Sequence, residues 1–535
     1  MTPLPESYDA VVVGAGPNGL VAANHLLDAG WSVLVLEAQP TPGGAVRSDR
    51  DVHPDYVHDT FSTFYPLTAA SPLVRALHLE NHGLRWRHAP AVLGHPRPDG
   101  TWGILHRDRS VTASLLDQHH PGDGEAWLRT CEQWDRIGDA VVRALLSPFP
   151  PVRAGVSALA RLRSAGGLDF VRDLLTPARR LAEDRFGSEQ ARLLICGNAG
   201  HADIPLNAPG SGLMGWLLCM LGQTVGYPVP EGGAGKLAEA LVRRAESLGG
   251  EVRCNAEVVR VDVRDGRAAG VRTADGREVR ARRAVLADVV ATHLYDRLLP
   301  DTAVPERTRR GMRRFELDPG TVKVDWALDG PIPWASPPPH APGTVHVADS
   351  VDDMAEALGQ ISTNAVPAKP FLLAGQMTTS DPTRSPEGTE SFWAYTHVPQ
   401  RTARDAGDGG NGAIRGAWDR DDVERFADRM QDQVERLAPG FGDRVVARRA
   451  MGPRELEARD ANLVGGAING GTAQLHQQLV FRPVPGLGRA ETPVKGLYLA
   501  SASAHPGGGV HGACGSNAAR AAIAHDRVRR ALRRA

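Results

Sequence analysis

Residues 8–37 read YDAVVVGAGPNGLVAANHLLDAGWSVLVLE, and the order of chemistry along them decides the fold. Ala10–Val13 is short, apolar and β-branched, the composition of a strand buried in a parallel sheet. Gly14-Ala15-Gly16-Pro17-Asn18-Gly19 follows at once, and Leu20–Leu27 then carries helical periodicity. Gly30 stops that helix, and Ser32–Leu36 is a second buried strand ending in Glu37. Each part has a task. Gly14 makes the tight turn, Gly16 lets the backbone approach a pyrophosphate, and Gly19 lets helix and strand pack closely. The free N–H groups and dipole of the helix start favour the pyrophosphate's charge. Glu37 is placed to accept from a ribose 2′-OH, and an acid there argues against a 2′-phosphate. A glycine-rich turn alone is weak evidence, but here a strand precedes it, a helix follows, and an acid lies about twenty residues on.

The chain has 535 residues, more than one ordinary core holds, so at least two domains are expected. A formal net charge of −1 argues against nucleic acid as an electrostatic partner. The lysines are only Lys236, Lys323, Lys369 and Lys495. Cys131, Cys196, Cys219, Cys254 and Cys514 are odd in number, widely spaced and form no CxxC, which suggests free thiols in a reducing compartment and no metal cluster. With a fold that begins by Tyr8 no secretory signal is expected, and the longest apolar run, Leu213–Leu221, is too short to span a bilayer. A cytoplasmic location is expected, with membrane association as an addition to it.

After Glu37 and Ala38, Pro42-Gly43-Gly44-Ala45-Val46-Arg47 can pass close to a bound cofactor, with Arg47 meeting phosphates; the alternative is a surface turn. Phe61-Ser-Thr-Phe-Tyr65 either lines a site or is core. None of the histidines between His78 and His120 shows metal-ligand spacing. Gln118–Asp139 suggests a helix. Arg143–Arg180 is arginine-rich with interleaved apolar residues, so 141–182 is a candidate for peripheral contact with anionic lipid, or else an arginine-decorated helical cap. Gly212–Leu221 is apolar all round and suits a buried helix that could wall a channel. Pro230-Glu-Gly-Gly-Ala-Gly235-Lys leads into a helix over Leu237–Leu248, with the wrong spacing for a P-loop. Residues 251–288 alternate as strands joined by Asp265-Gly266 and Asp275-Gly276 hairpin turns. Thr321–Trp326 and Phe371–Met377 suggest strands of one sheet, Arg404–Gly412 a loop, and Asp421–Leu437 a helix. Val494–Ala500 is a turn and short buried strand; Ser501-Ala-Ser-Ala-His505-Pro-Gly-Gly-Gly-Val-His511-Gly-Ala-Cys-Gly515 and a helix over Ser516–Ala524 follow. Strand, glycine-rich turn and helix start again suit a polar ring edge or ribityl chain.

VVVGAGPNGLVAANHLLDAG…VLVLE followed by PGGAVRS, PEGGAGKLAEAL followed by GGEVRCNAEVVRVDV, and GLYLASASAHPGGGVHGACGSNAA together resemble FAD-dependent oxidoreductases of the phytoene desaturase and amine oxidase superfamily. The pattern is most similar to the phytoene dehydrogenase-like proteins, including the pyridine nucleotide-disulphide oxidoreductase domain protein 2 group. The resemblance implies an α/β fold: a discontinuous Rossmann-type FAD-binding domain with an inserted α+β substrate domain made of a mixed sheet and a helical cap. The implied segments are 1–75, 230–300 and 450–535 for FAD, and 76–229 and 301–449 for substrate. It implies that Gly14, Gly16, Pro17, Asn18, Gly19, Glu37, Ala38, Gly43, Gly44, Ala45 and Arg47 serve the ADP half of FAD. Val258 would meet the adenine side, and Ser501, His505, Gly508, Gly509 and Val510 would lie along the flavin. Ala45 stands where arginine usually follows the glycine pair.

The expected reaction is hydride transfer between the flavin and a C–H bond of an apolar, isoprenoid or polyene substrate, of the desaturase or dehydrogenase type. His505 and His511 are the titratable candidates beside the flavin. One alternative is an amine oxidase-type enzyme, for which Lys323 is the candidate lysine. Another is a non-catalytic flavoprotein acting through protein partners.

Overall fold

The strand Glu6–Val13 is buried from Asp9 onward and lies inside a seven-stranded sheet of the computed structural model, which describes residues 6–407 and 413–534. The sheet runs in the order Val258–Arg264, Arg267–Thr273, Glu278–Ala287, Glu6–Val13, Val33–Leu36, Glu251–Arg253. Leu497–Leu499 pairs with the end of Glu278–Ala287. The pairings of Glu6–Val13 with both neighbours, and those of Glu251–Arg253 and Leu497–Leu499, are parallel. Only the hairpins over 258–280 are antiparallel. Asp265-Gly266 takes positive φ at both residues, the backbone that a tight two-residue hairpin turn needs. Strands from three distant parts of the chain thus build one sheet, and their C-terminal ends open on the same edge.

A second seven-stranded sheet runs Val445–Met451, Gly320–Leu328, Glu390–Val398, Leu372–Gln376, Pro342–Val347, Ala91–Pro96, Trp102–Leu105. Thr321–Trp326 and Phe371–Met377 do share this sheet, with Glu390–Val398 between them. Gly320–Leu328 is buried at every residue because both faces are covered. Outside it, the helix Arg420–Leu437 repeats Val423, Phe426, Met430, Val434 and Leu437 and packs them onto Val322, Val324, Trp326 and Phe392. On the inner side, the helices Asp123–Leu146, Glu189–Ala199 and Ser211–Thr224 form a cap whose core includes Trp127, Trp134, Leu194 and Trp216. This is the expected α/β architecture with a mixed sheet and helical cap.

Two helices differ most from expectation. The helix expected over Gln118–Asp139 spans Asp123–Leu146. Pro121-Gly122 breaks the chain before it, with Gly122 at φ +99°, and Ala140, Val142 and Leu146 prolong its buried face. The last helix, expected over Ser516–Ala524, spans Ala513–Arg534. Its outer turns are held by ion pairs from Asp526 to Arg529 and Arg530 rather than by apolar burial. The loop expected over Arg404–Gly412 begins with a short strand, Arg404–Asp405, and 408–412 lie outside the described residues. The five cysteines are all free thiols.

A buried ionic joint ties the small hairpin of Ser48–Asp49 and His58–Asp59 to the short helix Pro382–Arg384 that follows Leu372–Gln376 of the second sheet. Arg384 donates to Asp59 and Asp381, each at 3.1 Å, and all three side chains are fully buried. Asp59 also accepts from Ser48 Oγ and the Ala234 N–H, and Asp381 from the Gly232 N–H. The glycine loop at 230–235 is therefore fastened to that hairpin and that short helix by the two acids that one guanidinium holds. Arg384→Ala would strand two carboxylates without their cation, a change that costs about 3–5 kcal/mol. Thermal and denaturant unfolding of the variant should show that loss, and Arg384→Lys should recover only part of it, because lysine cannot serve both acids at once.

Candidate cofactor site

A cleft of about 450 Å³ lies along the C-terminal ends of the parallel strands. Its walls include Val13, Gly14 and Gly16 after the first strand, Glu37 and Ala38 after the second, Asp288 after Glu278–Ala287, and Ser501 after Leu497–Leu499. This is where open α/β sheets bind dinucleotides. Gly14 has φ +95°, and a Cβ there would stand 2.7 Å from the Asp288 carbonyl oxygen. A Cβ on Gly19 would stand 2.2 Å from the Gly14 carbonyl oxygen, so the helix Pro17–Asp28 packs directly on the turn. Gly515 of the last helix approaches the Asn18 carbonyl so closely that a Cβ would overlap it.

Three buried carboxyl groups line the cleft: Glu37, Asp288 and Asp460. Glu37 accepts the Ala15 N–H at 2.7 Å and the Gln39 N–H at 2.9 Å. Burial raises its pKa against those two bonds. Asp288 Oδ2 accepts the Gly19 N–H at 2.7 Å. Burial pushes its pKa up to about 8, opposed by that bond and reinforced by the charges of Asp460 and Glu37. Burial also raises Asp460. A neutral Asp288 can keep its bond to the helix start without repelling a phosphate, so this donor set is compatible with FAD.

At the other end of the cleft stand Leu463, Ile468, Gly470, Gly509 and Val510. Asp318 holds this wall by accepting the Ile468, Asn469 and Gly471 N–H groups at 2.7–2.9 Å. Its pKa is pushed up to about 6 by burial and by the nearby Asp203 charge. Asn469 Nδ2 donates to Asp203, whose Oδ1 lies 2.5 Å from His397 Nε2. Burial disfavours a charged His397, but the Asp203 carboxylate outweighs it and the pKa is raised.

The sequence-derived residues divide between those on the cleft and those away from it. Gly14, Gly16, Pro17, Asn18, Glu37, Ala38, Gly44, Ala45, Val258, Ser501, Gly509 and Val510 line it. Gly19, Gly43 and Gly508 lie behind it, packed against Gly14, Val46 and Asn469 respectively. Arg47 does not face the cleft: its Nε donates to the Gly44 carbonyl and its Nη2 to the Arg459 carbonyl, with the guanidinium 5.2 Å from the Phe61 ring centre. His505 turns away as well. Its Nε2 meets the Ser147 carbonyl at 3.2 Å, its ring stands edge-on to Phe149, and burial lowers its pKa to about 4. His511 is buried and accepts the Ala513 N–H. Lys323 is also off the cleft, ion-paired with Asp325, which in turn holds Arg449 at 2.8 Å. Asp460, Asn462, Asp318, Asp203 and His397 were not singled out from the sequence. The Asp460-Ala-Asn462 acid–amide pair before Gly465-Gly466 is their one local signal, and Asn462 earns its place by bridging Asp288 O and the Val290 N–H.

The model of the family described as flavin containing amine oxidoreductase matches residues 18–322. The chain belongs to that family. It is an FAD-dependent oxidoreductase. It is 29% identical to the mouse (Mus musculus) pyridine nucleotide-disulfide oxidoreductase domain-containing protein 2 over 96% of this chain and 93% of that one. It is 25% identical to the lycopene-forming phytoene desaturase of Pseudescherichia vulneris over 96% of this chain and 98% of that one. Its fold is similar to that of wild-type putrescine oxidase bound to putrescine, with a TM-score of 0.60 at 18% identity over 97% of this chain and 99% of that one.

Two measurements check this site. Glu37→Ala removes a buried hydrogen-bond acceptor, a loss of about 1–3 kcal/mol, so the FAD dissociation constant should rise about 5- to 150-fold in a flavin-fluorescence titration. For Asp288 the raised pKa means the bound proton is lost as pH rises through about 8. FAD affinity of the wild type should therefore fall above that pH, whereas Asp288→Asn, which cannot ionise, should show no such fall.

Proposed function

We propose that this flavoenzyme removes hydride from a C–H bond of a long apolar substrate, as a desaturase or dehydrogenase, and does not oxidise amines. The observation that carries the reading is the inner face of the second sheet. One row across it is His95, His346, Leu373, Tyr395, Lys323 and Met451. Trp393 and Tyr395 stack at 5.9 Å, and Phe64 lies 6.0 Å from Trp393 and 6.5 Å from Tyr227. Just after Phe64, the Leu67 side chain packs against Gly509 at the cleft, and Thr68 donates to the Val510 carbonyl. The apolar helix Ser211–Thr224 covers the same side. Aromatic and aliphatic walls suit a hydrocarbon, and although aromatic rings alone can hold a cation, this row carries no carboxylate to pair with an ammonium group. The only lysine in this row, Lys323, is bound to Asp325 beneath Trp393, so no free amine faces the cleft from it.

FAD, when bound, supplies the hydride acceptor. The chain's part is to hold the substrate dry against it and to carry away the proton. Asn469 links the cleft wall to Asp203 and His397, which makes that pair the best-placed proton relay. The Asp203 carboxylate, working against burial, raises the His397 pKa above its ordinary value.

Delivery from a lipid surface is part of the same reading. Among the described residues no helix is long and apolar enough to cross a membrane. The helices Val152–Leu162 and Leu168–Leu175 nonetheless expose Val152, Val156, Leu159, Leu168 and Leu175 beside Arg161, Arg163 and Arg172. Leu168 is 82% exposed, which is unusual for a leucine with a role in the core. The phytoene desaturases among the relatives are consistent with an apolar substrate.

Anaerobic titration of the holoenzyme tests the reading. Bleaching of the flavin by a partly saturated polyene, and none by alkyl amines, is expected; bleaching by amines alone would overturn it. With the active donor, His397→Gln should slow flavin reduction about 10²–10⁴-fold and alter its pH profile.

A further inference from the structure

A second cavity, of about 280 Å³, lies between the cap, the loop before Leu497–Leu499, the flavin-side loop and the last helix. Its walls include Phe149, Arg489, Glu491, His505, Asn517 and Arg520. It is distinct from the FAD cleft and shares no lining residue with it.

Its polar groups are left in need of a partner. His505 and Asn517 are each 5% exposed. The Ser147 carbonyl only accepts, so His505 Nε2 carries the ring proton and Nδ1 is a bare acceptor. That Nδ1 is buried and has no hydrogen-bond partner, and the same holds for Asn517 Oδ1. Buried acceptors without donors are costly, and a bound group that supplies donors removes the cost. The cations at the cavity have spare capacity too. Arg489 donates Nε to the Phe149 carbonyl, which leaves its terminal nitrogens for another acceptor. Neither Arg489 nor Arg520 has an acidic partner among the described residues. Glu491, the one acid on the wall, lies 3.8 Å from His525 Nε2 on the outer side.

Two guanidinium groups ask for an anion, and two or three acceptors ask for hydroxyl donors. We propose that this cavity binds a phosphate that carries a polyol, of the glycerol phosphate class. The arginines hold the phosphate oxygens. The polyol hydroxyls donate to His505 Nδ1, Asn517 Oδ1 and Glu491. A carboxylate or a bare phosphate would satisfy the arginines and leave the buried acceptors unpaired. The same chemistry exists as a free sugar or glycerol phosphate and as a glycerol-bearing phospholipid headgroup. The cavity wall at Phe149-Pro150 runs directly into the helix Val152–Leu162 with its exposed apolar residues, which favours the headgroup. The occupant would also touch the loop whose Ser501, Gly509 and Val510 line the FAD cleft.

The test uses the FAD-loaded full chain. Calorimetry with sn-glycerol 3-phosphate, and sedimentation with vesicles of phosphatidylglycerol or of phosphatidylserine at equal charge, separate the sources. Binding of phosphatidylglycerol over phosphatidylserine, weakened about 10- to 100-fold by Arg489→Gln or Arg520→Gln, supports the headgroup form. Saturable binding of glycerol 3-phosphate with the same losses, and tighter than inorganic phosphate, supports the free form. Both arginines are exposed, so these variants should fold and keep FAD, which the flavin spectrum checks. The proposal is overturned if neither ligand binds, if the double variant binds both as the wild type does, or if inorganic phosphate binds as tightly as the polyol phosphates. None of these outcomes depends on which donor reduces the flavin.

Discussion

Everything in this molecule is arranged around one point of steric crowding, where Gly14, Gly16 and Gly19 meet Asp288. The Gly14 carbonyl, the Asp288 backbone and the Asn18 carbonyl approach so closely that side chains at Gly14, Gly19 or Gly515 have no room. That contact brings the first strand, the middle strand and the last helix to one place. The strands end there on the same edge, and the helix start points its amides into the opening. The fold thus assembles its cofactor site by the same contacts that close its first core.

The second constraint is electrostatic. Charged groups inside the chain come in closed sets: Arg384 with Asp59 and Asp381, Lys323 with Asp325 and Arg449. Each set satisfies itself and joins segments that are distant in sequence. The acids of the cleft differ. Glu37, Asp288 and Asp460 have amide donors and, among the described residues, no ion pair, and burial raises all three pKa values, for Glu37 and Asp460 against the charge of Arg47. A site that keeps Asp288 neutral can accept a diphosphate beside the helix start without a lysine or arginine at its floor. That explains how Arg47 can be spent on bracing backbone carbonyls.

The cofactor half was legible because its determinants are local. A strand, three glycines, a helix and an acid occupy thirty consecutive residues from Tyr8 to Glu37, and each constrains the next. The hairpins at Asp265-Gly266 and Asp275-Gly276 were legible for the same reason. The far wall was not. Asp318, Asp203, His397 and Asn469 lie in four separate stretches, and only the folded sheet places them together. Side-chain direction was equally hidden. His505 sits in a flavin-type loop, yet its ring turns to the Ser147 carbonyl, and Lys323 sits on a central strand, yet Asp325 two residues on holds it. A motif fixes where the backbone goes, while the side chain answers to whichever partner the folded chain sets beside it, two residues away for Lys323 and hundreds for His505.

The central claim is that these three chain segments hold one FAD along the cleft. Purified chain, stripped of flavin and reloaded, should take up one equivalent of FAD and show an oxidised-flavin spectrum. Gly16→Val, whose side chain would have to displace the Asp288 carboxyl, should take up far less while remaining folded. Failure of the wild type to hold FAD, or undiminished uptake by Gly16→Val, would contradict the account.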